Sequence, residues 1–206
     1  MHWLALPVCY LLGAIPCGVI VGRVTRGIDI RDYGSGNIGA SNVLRTLGTG
    51  PALLVFFFDT VKGLAAVVLC RWLFGDEGAG AYWVVAGGLL SVFGHSYSAF
   101  LGFQGGKGVA TSLGVIIGLN WLIAVIALGI WAVLVGLTRY ISVGSIVAAV
   151  SVPVQMHLWE AMQVPPAYQA LGAAAALLIV VKHRSNIKRL IAGTENRIGA
   201  KSGASR

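Results

Sequence analysis

The sequence predicts an all-α fold: a polytopic integral membrane protein with about seven transmembrane helices, its N-terminus outside and its C-terminus in the cytoplasm. Three observations lead there. Of the 206 residues, 57% are hydrophobic and only 11% are charged, with a mean hydropathy of +0.82. Apolar runs of 17 or more residues recur along the chain, each long enough to cross a hydrocarbon core of roughly 30 Å as a helix. Seven spans also place 13 of the 15 Lys and Arg on one side, as the positive-inside tendency requires.

The first apolar segment, 3–22, has neither a basic leader nor a small-residue cleavage site, and reads as a retained span. The second and third run over 51–74 and 82–103. A single helix over 109–138 would be about 45 Å long, so the chain is divided at Asn120 into segments 109–119 and 121–138. Merging them would send Arg139 and the basic tail outward, against the charge rule. Segments 141–158 and 166–182 follow, and 201–206 reads as a frayed end. Trp3, Trp72, Trp83, Trp121 and Trp159 fall at the outer boundary as an aromatic belt, where the loops keep Asp76, Glu77 and Glu160. Cys9, Cys17 and Cys70 lie in apolar segments at no zinc spacing and read as packing residues. Residues 1–206 form one domain, and the net charge of +8 points to an anionic leaflet or anionic substrates, with no nucleic acid partner.

Three polar clusters fall on the cytoplasmic side of this topology. In the first, 34–48, Gly34, Gly36 and Gly39 free the backbone for positive φ, so that N–H groups can converge on an anion. Ser35, Asn37, Ser41 and Asn42 add neutral donors, and Arg45 adds a guanidinium fork suited to phosphate. The glycines match GxGxxG, but no strand precedes them, so the dinucleotide-binding context is absent and the alternative is a plain loop. In the second, 104–112, Gly105, Gly106 and Gly108 surround Lys107 directly before a helix, an arrangement that favours phosphate. It is not a Walker loop, because Gly108 stands where Ser or Thr should follow the lysine; the alternative is a positive anchor at the membrane surface. In the third, 183–195, His183 and Asn186 fall on one helical face, while Lys182, Arg184, Lys188 and Arg189 read as a cationic collar on acidic lipid.

Inside the membrane, Asp59 and Lys62 lie three residues apart, either an intrahelical ion pair or a functional pair. His95 is either a satisfied core histidine or part of the site. HxxxxD and GxSxG motifs are absent, as is any carboxylate cluster. A covalent serine intermediate is therefore disfavoured, and neither a metal nor a cofactor is expected.

The stretches GSGNIGASNVLRTLG at 34–48, FGHSYSAFLGFQGGKGVATSLG at 93–114 and HRSNIKRLIAGTE at 183–195 resemble the PlsY family of bacterial acyl-phosphate:glycerol-3-phosphate acyltransferases. Departures are Gln104 for the family's usual lysine, Ser41 for threonine and Ser185 for glutamate. The resemblance implies transfer of an acyl group from acyl phosphate to the 1-hydroxyl of sn-glycerol 3-phosphate at the cytoplasmic face of the bacterial inner membrane. Lysophosphatidic acid, which stays with membrane lipid, and phosphate are the products. It implies a site built on Ser35, Arg45, Lys107, His183 and Asn186, with the 34–39 and 105–108 backbones as phosphate cradles. His183 is open between base and phosphate ligand, with ligand favoured. Asn37, Asn42, Asp59, Lys62, His95 and Glu195 match family positions and shape the site. A soluble acyltransferase that produces acyl phosphate is implied as a partner. Two other classes fit parts of the sequence: a phosphate transporter, which would want a midplane site open to both sides, and a basic membrane scaffold, which leaves the glycines unexplained.

Overall fold

The structure, a computed structural model, describes residues 2–158 and 165–199. Trp159, Glu160 and the tail 201–206 lie outside the described residues. The described chain is helical, with no strand beyond an isolated bridge between Ser98 and Gln104.

The first apolar segment forms two helices, α1 (Ala5–Ala14) and α2 (Cys17–Arg26), where one was expected. Pro16 has no N–H with which to continue the ladder, so the helix breaks there. The break frees the Ile15 carbonyl, which accepts a hydrogen bond from Lys62 Nζ at 2.9 Å. The next stretch, read as a glycine-rich loop, contains an amphipathic helix, α3 (Ala40–Leu47), whose Val43 is buried. Gly48, at φ +87°, turns the chain sharply from α3 into α4 (Thr49–Phe74).

Helix α5 (Ala79–Ser96) stops short of the expected 103. Residues 97–104 fold back as a turn, in which Ser98 and Phe103 N–H groups donate to Gln104 and Ser98 carbonyls at 3.2 and 2.8 Å. Ser98 Oγ ties this turn to the Ala14 carbonyl at 2.6 Å. The apolar character of Phe100 and Phe103, both exposed, hides this end from hydropathy. Helices α6 (Val109–Leu119) and α7 (Trp121–Thr138) divide at Asn120, whose side-chain oxygen caps α7 by accepting from the N–H groups of Leu122 and Ile123. Helices α8 (Ile141–Leu158), α9 (Pro166–Lys182) and α10 (Arg184–Ile191) complete the described chain.

Two helix pairs meet backbone to backbone. A Cβ on Gly63 of α4 would stand 2.1 Å from the Thr111 carbonyl oxygen, and one on Gly114 of α6 would stand 1.9 Å from that of Thr60. Gly13 of α1 and Gly94 of α5 make the same reciprocal approach to Ser91 and Tyr10. Such contacts suit a membrane protein, whose helices gain association energy from close packing because lipid tails already solvate apolar side chains. Four helical stretches, Ala5–Arg26, Thr49–Phe74, Trp121–Thr138 and Ile141–Leu158, are long and apolar enough to cross a membrane. The main core joins Cys9, Val67, Cys70, Val84, Val115 and Leu171, while Phe57, Trp72 and Leu137 face outward. A second cluster of Ile30, Ile38, Val43 and Val55 pins the 28–48 stretch onto α2 and α4, which holds the first motif still.

Candidate active site

The first motif is organised by Asn42, which is fully buried. Its Oδ1 accepts the Ser35 N–H at 2.8 Å, and its Nδ2 donates to the carbonyls of Ile30 and Tyr33 at 3.1 and 3.0 Å. Both ends of the amide are therefore occupied by backbone, and Asn42 is not placed to touch a phosphate. The N–H groups of Gly36 and Gly39, expected in a cradle with Gly34, are occupied within the loop as well. The Ser35, Gly36 and Gly39 N–H groups are bound within the loop, to Asn42, the Tyr33 carbonyl and Asn37 Oδ1. Gly34 and Gly36 do take positive φ, +60° and +67°, but Gly39 is extended. This loop thus presents side chains, Ser35 and Asn37, more than N–H groups.

The second motif differs again. Gly105 and Gly106 are required by contact with α5: a Cβ would come 2.2 Å from the His95 carbonyl oxygen and 2.0 Å from His95 Nε2, respectively. The Gly106 N–H donates to the His95 carbonyl at 3.0 Å. Beyond them Gly108, at φ +79°, opens α6 without a side-chain cap. Gly108, Val109 and Ala110 line a cavity, so the positive end of α6 faces it.

The third motif supplies the partner of Lys107. Lys107 Nζ donates to Asn186 Oδ1 at 2.5 Å, Asn186 Nδ2 donates to Glu195 Oε1 at 2.6 Å, and Glu195 also accepts from Ser142 Oγ at 2.9 Å and Arg189 Nε at 2.7 Å. Burial would raise the Glu195 carboxyl, but hydrogen bonds from Asn186, Ser142 and Arg189 hold it below its ordinary value. Burial lowers the Lys107 ammonium to about 8, with Arg189 and Arg45 adding to the effect and Glu195 opposing it. His183 is buried where α9 turns into α10, with its Nδ1 2.8 Å from the Ile179 carbonyl oxygen. A carbonyl only accepts, so Nδ1 carries the proton and Nε2 is a bare acceptor. Burial, then the charge of Lys107, lowers this imidazole to about 4.

These residues border two cavities that share Asn37 and Lys107 in their walls. One, of about 340 Å³, is polar, with Ser35, Gly105, Lys182, Arg184, Ser185 and Arg189 in its wall. Three of the cations assigned to a lipid collar thus surround this cavity. The other, of about 370 Å³, takes Arg45, His183, Asn186 and Glu195 at one end and passes Phe56, Leu128 and Trp131. The latter three also line a small apolar pocket that continues to Ile116, Ala148 and Val152. Arg45 makes no hydrogen bond or ion pair among the described residues. Asp59 and Lys62 form the intrahelical pair, at 2.7 Å, and Lys62 also reaches His95 Nδ1 at 2.9 Å. Asp59 and His95 both reach the larger cavity. Ser142 and Trp131 had no signal in the sequence, because each acts across a distance that only helix packing sets. Among the described residues, no group of three or more His, Cys, Asp or Glu is placed to hold a metal ion.

Residues 3–193 match the model of the family described as glycerol-3-phosphate acyltransferase. The chain is 46% identical over 203 residues to a glycerol-3-phosphate acyltransferase of Gloeobacter violaceus, covering 97% of this chain and 98% of that protein. It is 50% identical over 192 residues to one from a Synechococcus species, covering 93% and 92%. Its fold is similar to crystal structures of PlsY, an integral membrane glycerol 3-phosphate acyltransferase. The glycerol 3-phosphate form matches with a TM-score of 0.88 at 36% identity, covering 96% of each chain. The lysophosphatidic acid form matches with a TM-score of 0.86 at 35% identity, covering 96% of this chain and 95% of that one. With its three motifs gathered around two neighbouring cavities and nearly its whole length matched, the chain belongs to the glycerol-3-phosphate acyltransferase family.

Proposed function

We propose that the protein transfers a fatty acyl group from acyl phosphate to the 1-hydroxyl of sn-glycerol 3-phosphate, giving lysophosphatidic acid and phosphate, the first committed step of phospholipid synthesis. The observation that carries this reading is that Lys107 lines both a polar, cation-walled cavity and a largely apolar one. Glycerol 3-phosphate is small and dianionic, and suits the cavity of Ser35, Asn37, Lys182, Arg184 and Arg189. Acyl phosphate suits the other: its phosphate lies at Lys107, Arg45 and the α6 N-terminus, and its chain runs past Phe56, Leu128 and Trp131. The stretches 34–48, 104–112 and 183–195 act as one site.

Acyl phosphate is a mixed anhydride with a good leaving group, so the protein's work is alignment and charge neutralisation. The bare Nε2 of His183 orients the attacking hydroxyl by accepting its hydrogen bond. This revises the phosphate-ligand role, for which a neutral imidazole with Nδ1 protonated has no donor to give. The low basicity of His183 leaves a substrate phosphate as the final proton acceptor. Asn186, fixed by Glu195, holds Lys107 in place.

In the membrane, 5–26, 49–74, 79–96, 109–119, 121–138, 141–158 and 166–182 serve as seven crossings of the bacterial inner membrane, N-terminus outside and active site toward the cytoplasm. Exposed Trp3, Trp72 and Trp121 suit an outer aromatic belt. A soluble acyltransferase delivers the acyl phosphate. The test is lipid formation from radiolabelled glycerol 3-phosphate by purified protein in detergent, with palmitoyl phosphate and palmitoyl-coenzyme A as parallel donors. Product from the phosphate alone is expected, and product from the thioester alone would sink the proposal.

A further inference from the structure

His95 stands apart from the groups used so far. It is buried at the end of α5, and its ring borders the larger cavity beside Lys107 and Gly108. Lys62 fixes its tautomer. The Lys62 ammonium donates to the Ile15 carbonyl at 2.9 Å, meets His95 Nδ1 at 2.9 Å and forms an ion pair with Asp59 Oδ1 at 2.7 Å, an oxygen that lies 3.5 Å from Nδ1. An ammonium has no lone pair, so Nδ1 accepts and the imidazole proton sits on Nε2. That Nε2–H meets no protein acceptor among the described residues. With its ring on the wall of the larger cavity, this donor is open to an acceptor that arrives with the substrate. Gly106 preserves the room, since a Cβ there would stand 2.0 Å from Nε2.

We propose that His95 is a further catalytic residue: its Nε2–H hydrogen-bonds the carbonyl oxygen of the acyl phosphate and stabilises the charge that develops there during transfer. The inference rests on the acyl-phosphate reading, in which Lys107, the neighbour of Gly106, holds the phosphate. The carbonyl is joined to that phosphate through one bridging oxygen, which brings it to the Gly106 side of the cavity. The glycerol oxygen attacks the acyl carbon, and the carbonyl π pair moves onto oxygen against Nε2–H. The pair returns as the bond to the bridging oxygen breaks, the leaving electrons go to phosphate, and the hydroxyl proton ends on a phosphate oxygen. His95 keeps its proton throughout. A neutral donor serves better than a cation here, because it does not compete with Lys107 and Arg45 for the phosphate. The Asp59–Lys62 pair acts through His95, as its positioning residues.

The test uses the full chain in detergent with an acyl phosphonate, whose carbonyl is bonded directly to phosphorus and cannot be transferred. Isotope-edited infrared spectra of the labelled carbonyl should show a lower stretching frequency bound to the wild type than bound to His95→Ala, with His95→Gln, which keeps a donor, between them. In transfer assays His95→Ala should lose about 10²-fold in kcat with little change in either KM, and His95→Gln should recover part. Equal carbonyl frequencies in wild type and His95→Ala overturn the proposal. Should the alanine variant not fold, the Nε2–H resonance of His95 in isotope-labelled wild type decides. A shift on adding the phosphonate supports the hydrogen bond, and an unmoved resonance with phosphonate bound overturns it. Failure of the wild type to bind phosphonate at all overturns the acyl-phosphate reading, and this inference with it.

Discussion

Replacing Lys107 by methionine should cut transfer sharply and stabilise the fold at the same time. The lysine is lowered from 10.5 to about 8, chiefly by burial. At 1.36 kcal/mol per unit, keeping it charged in the fold costs about 3 kcal/mol relative to the unfolded chain. The unfolded chain holds this proton more tightly than the fold does. The penalty is therefore full below about 8 and disappears as pH rises from there to 10.5, where the unfolded amine also loses its proton. Methionine matches the length of the aliphatic stem and carries no charge, so it removes the penalty at every pH while losing the bond to Asn186. Thermal unfolding in detergent should show wild-type stability rising through that alkaline window, and a flat profile for Lys107→Met in the same range. Transfer should fall by about 10²–10³-fold, as expected when a donor to developing charge is lost. The kcat/KM of the wild type for acyl phosphate should decline above about pH 8, as the ammonium is neutralised. A variant of normal turnover would remove Lys107 from the site, and a Lys107→Met protein that is markedly less stable at neutral pH would refute the burial argument.

Gly36→Val should damage transfer at least as badly as Ser35→Ala. Gly36 sits at φ +67°, where a β-branched residue is strained by about 1–3 kcal/mol, and near-normal activity would show that the loop shape is dispensable. Ala148→Phe narrows the apolar pocket that continues past Trp131, and competition among acyl phosphates of graded length should then favour shorter chains; an unchanged profile would place the acyl chain elsewhere. His183, lowered from 6.5 to about 4, should remain neutral throughout the mildly acidic range. Its contribution to stability is present above 6.5 and is lost as pH falls toward 4, where the unfolded imidazole already holds a proton. An imidazole titration by NMR with a midpoint near 6.5 would contradict its burial.

Much of this protein was legible from local chemistry. Hydropathy marks the apolar helices because each must hide its own backbone from lipid, whatever its neighbours do. The division at Asn120 was visible for the same reason: a side chain that caps the following helix acts over three residues. The motifs were legible as dense clusters of glycine, amide and cation, and the family resemblance through them. Pro16 also signals a break, but the apolar run around it masks that signal in hydropathy. The end of α5 was hidden by Phe100 and Phe103, which are apolar but lie in a turn.

The roles of the polar residues were decided only in three dimensions. Composition could not tell that Asn42 turns inward to hold Ser35 while Asn37 lines a cavity, nor that the N–H groups of Gly36 and Gly39 are bound within their own loop. Lys182, Arg184 and Arg189 look alike in sequence whether they meet lipid or a substrate cavity. Lys107 meets Asn186 across 79 positions, Lys62 meets Ile15 across 47, and Ser142 meets Glu195 across 53. Which segments are apolar and where glycine, amide and charge are concentrated can be read along the chain, because those properties belong to single residues and their near neighbours. Tertiary packing decided which of those groups face one another, because hydrogen bonds reach only about 3 Å and those distances exist only once backbones close at Gly63, Gly114, Gly13 and Gly94.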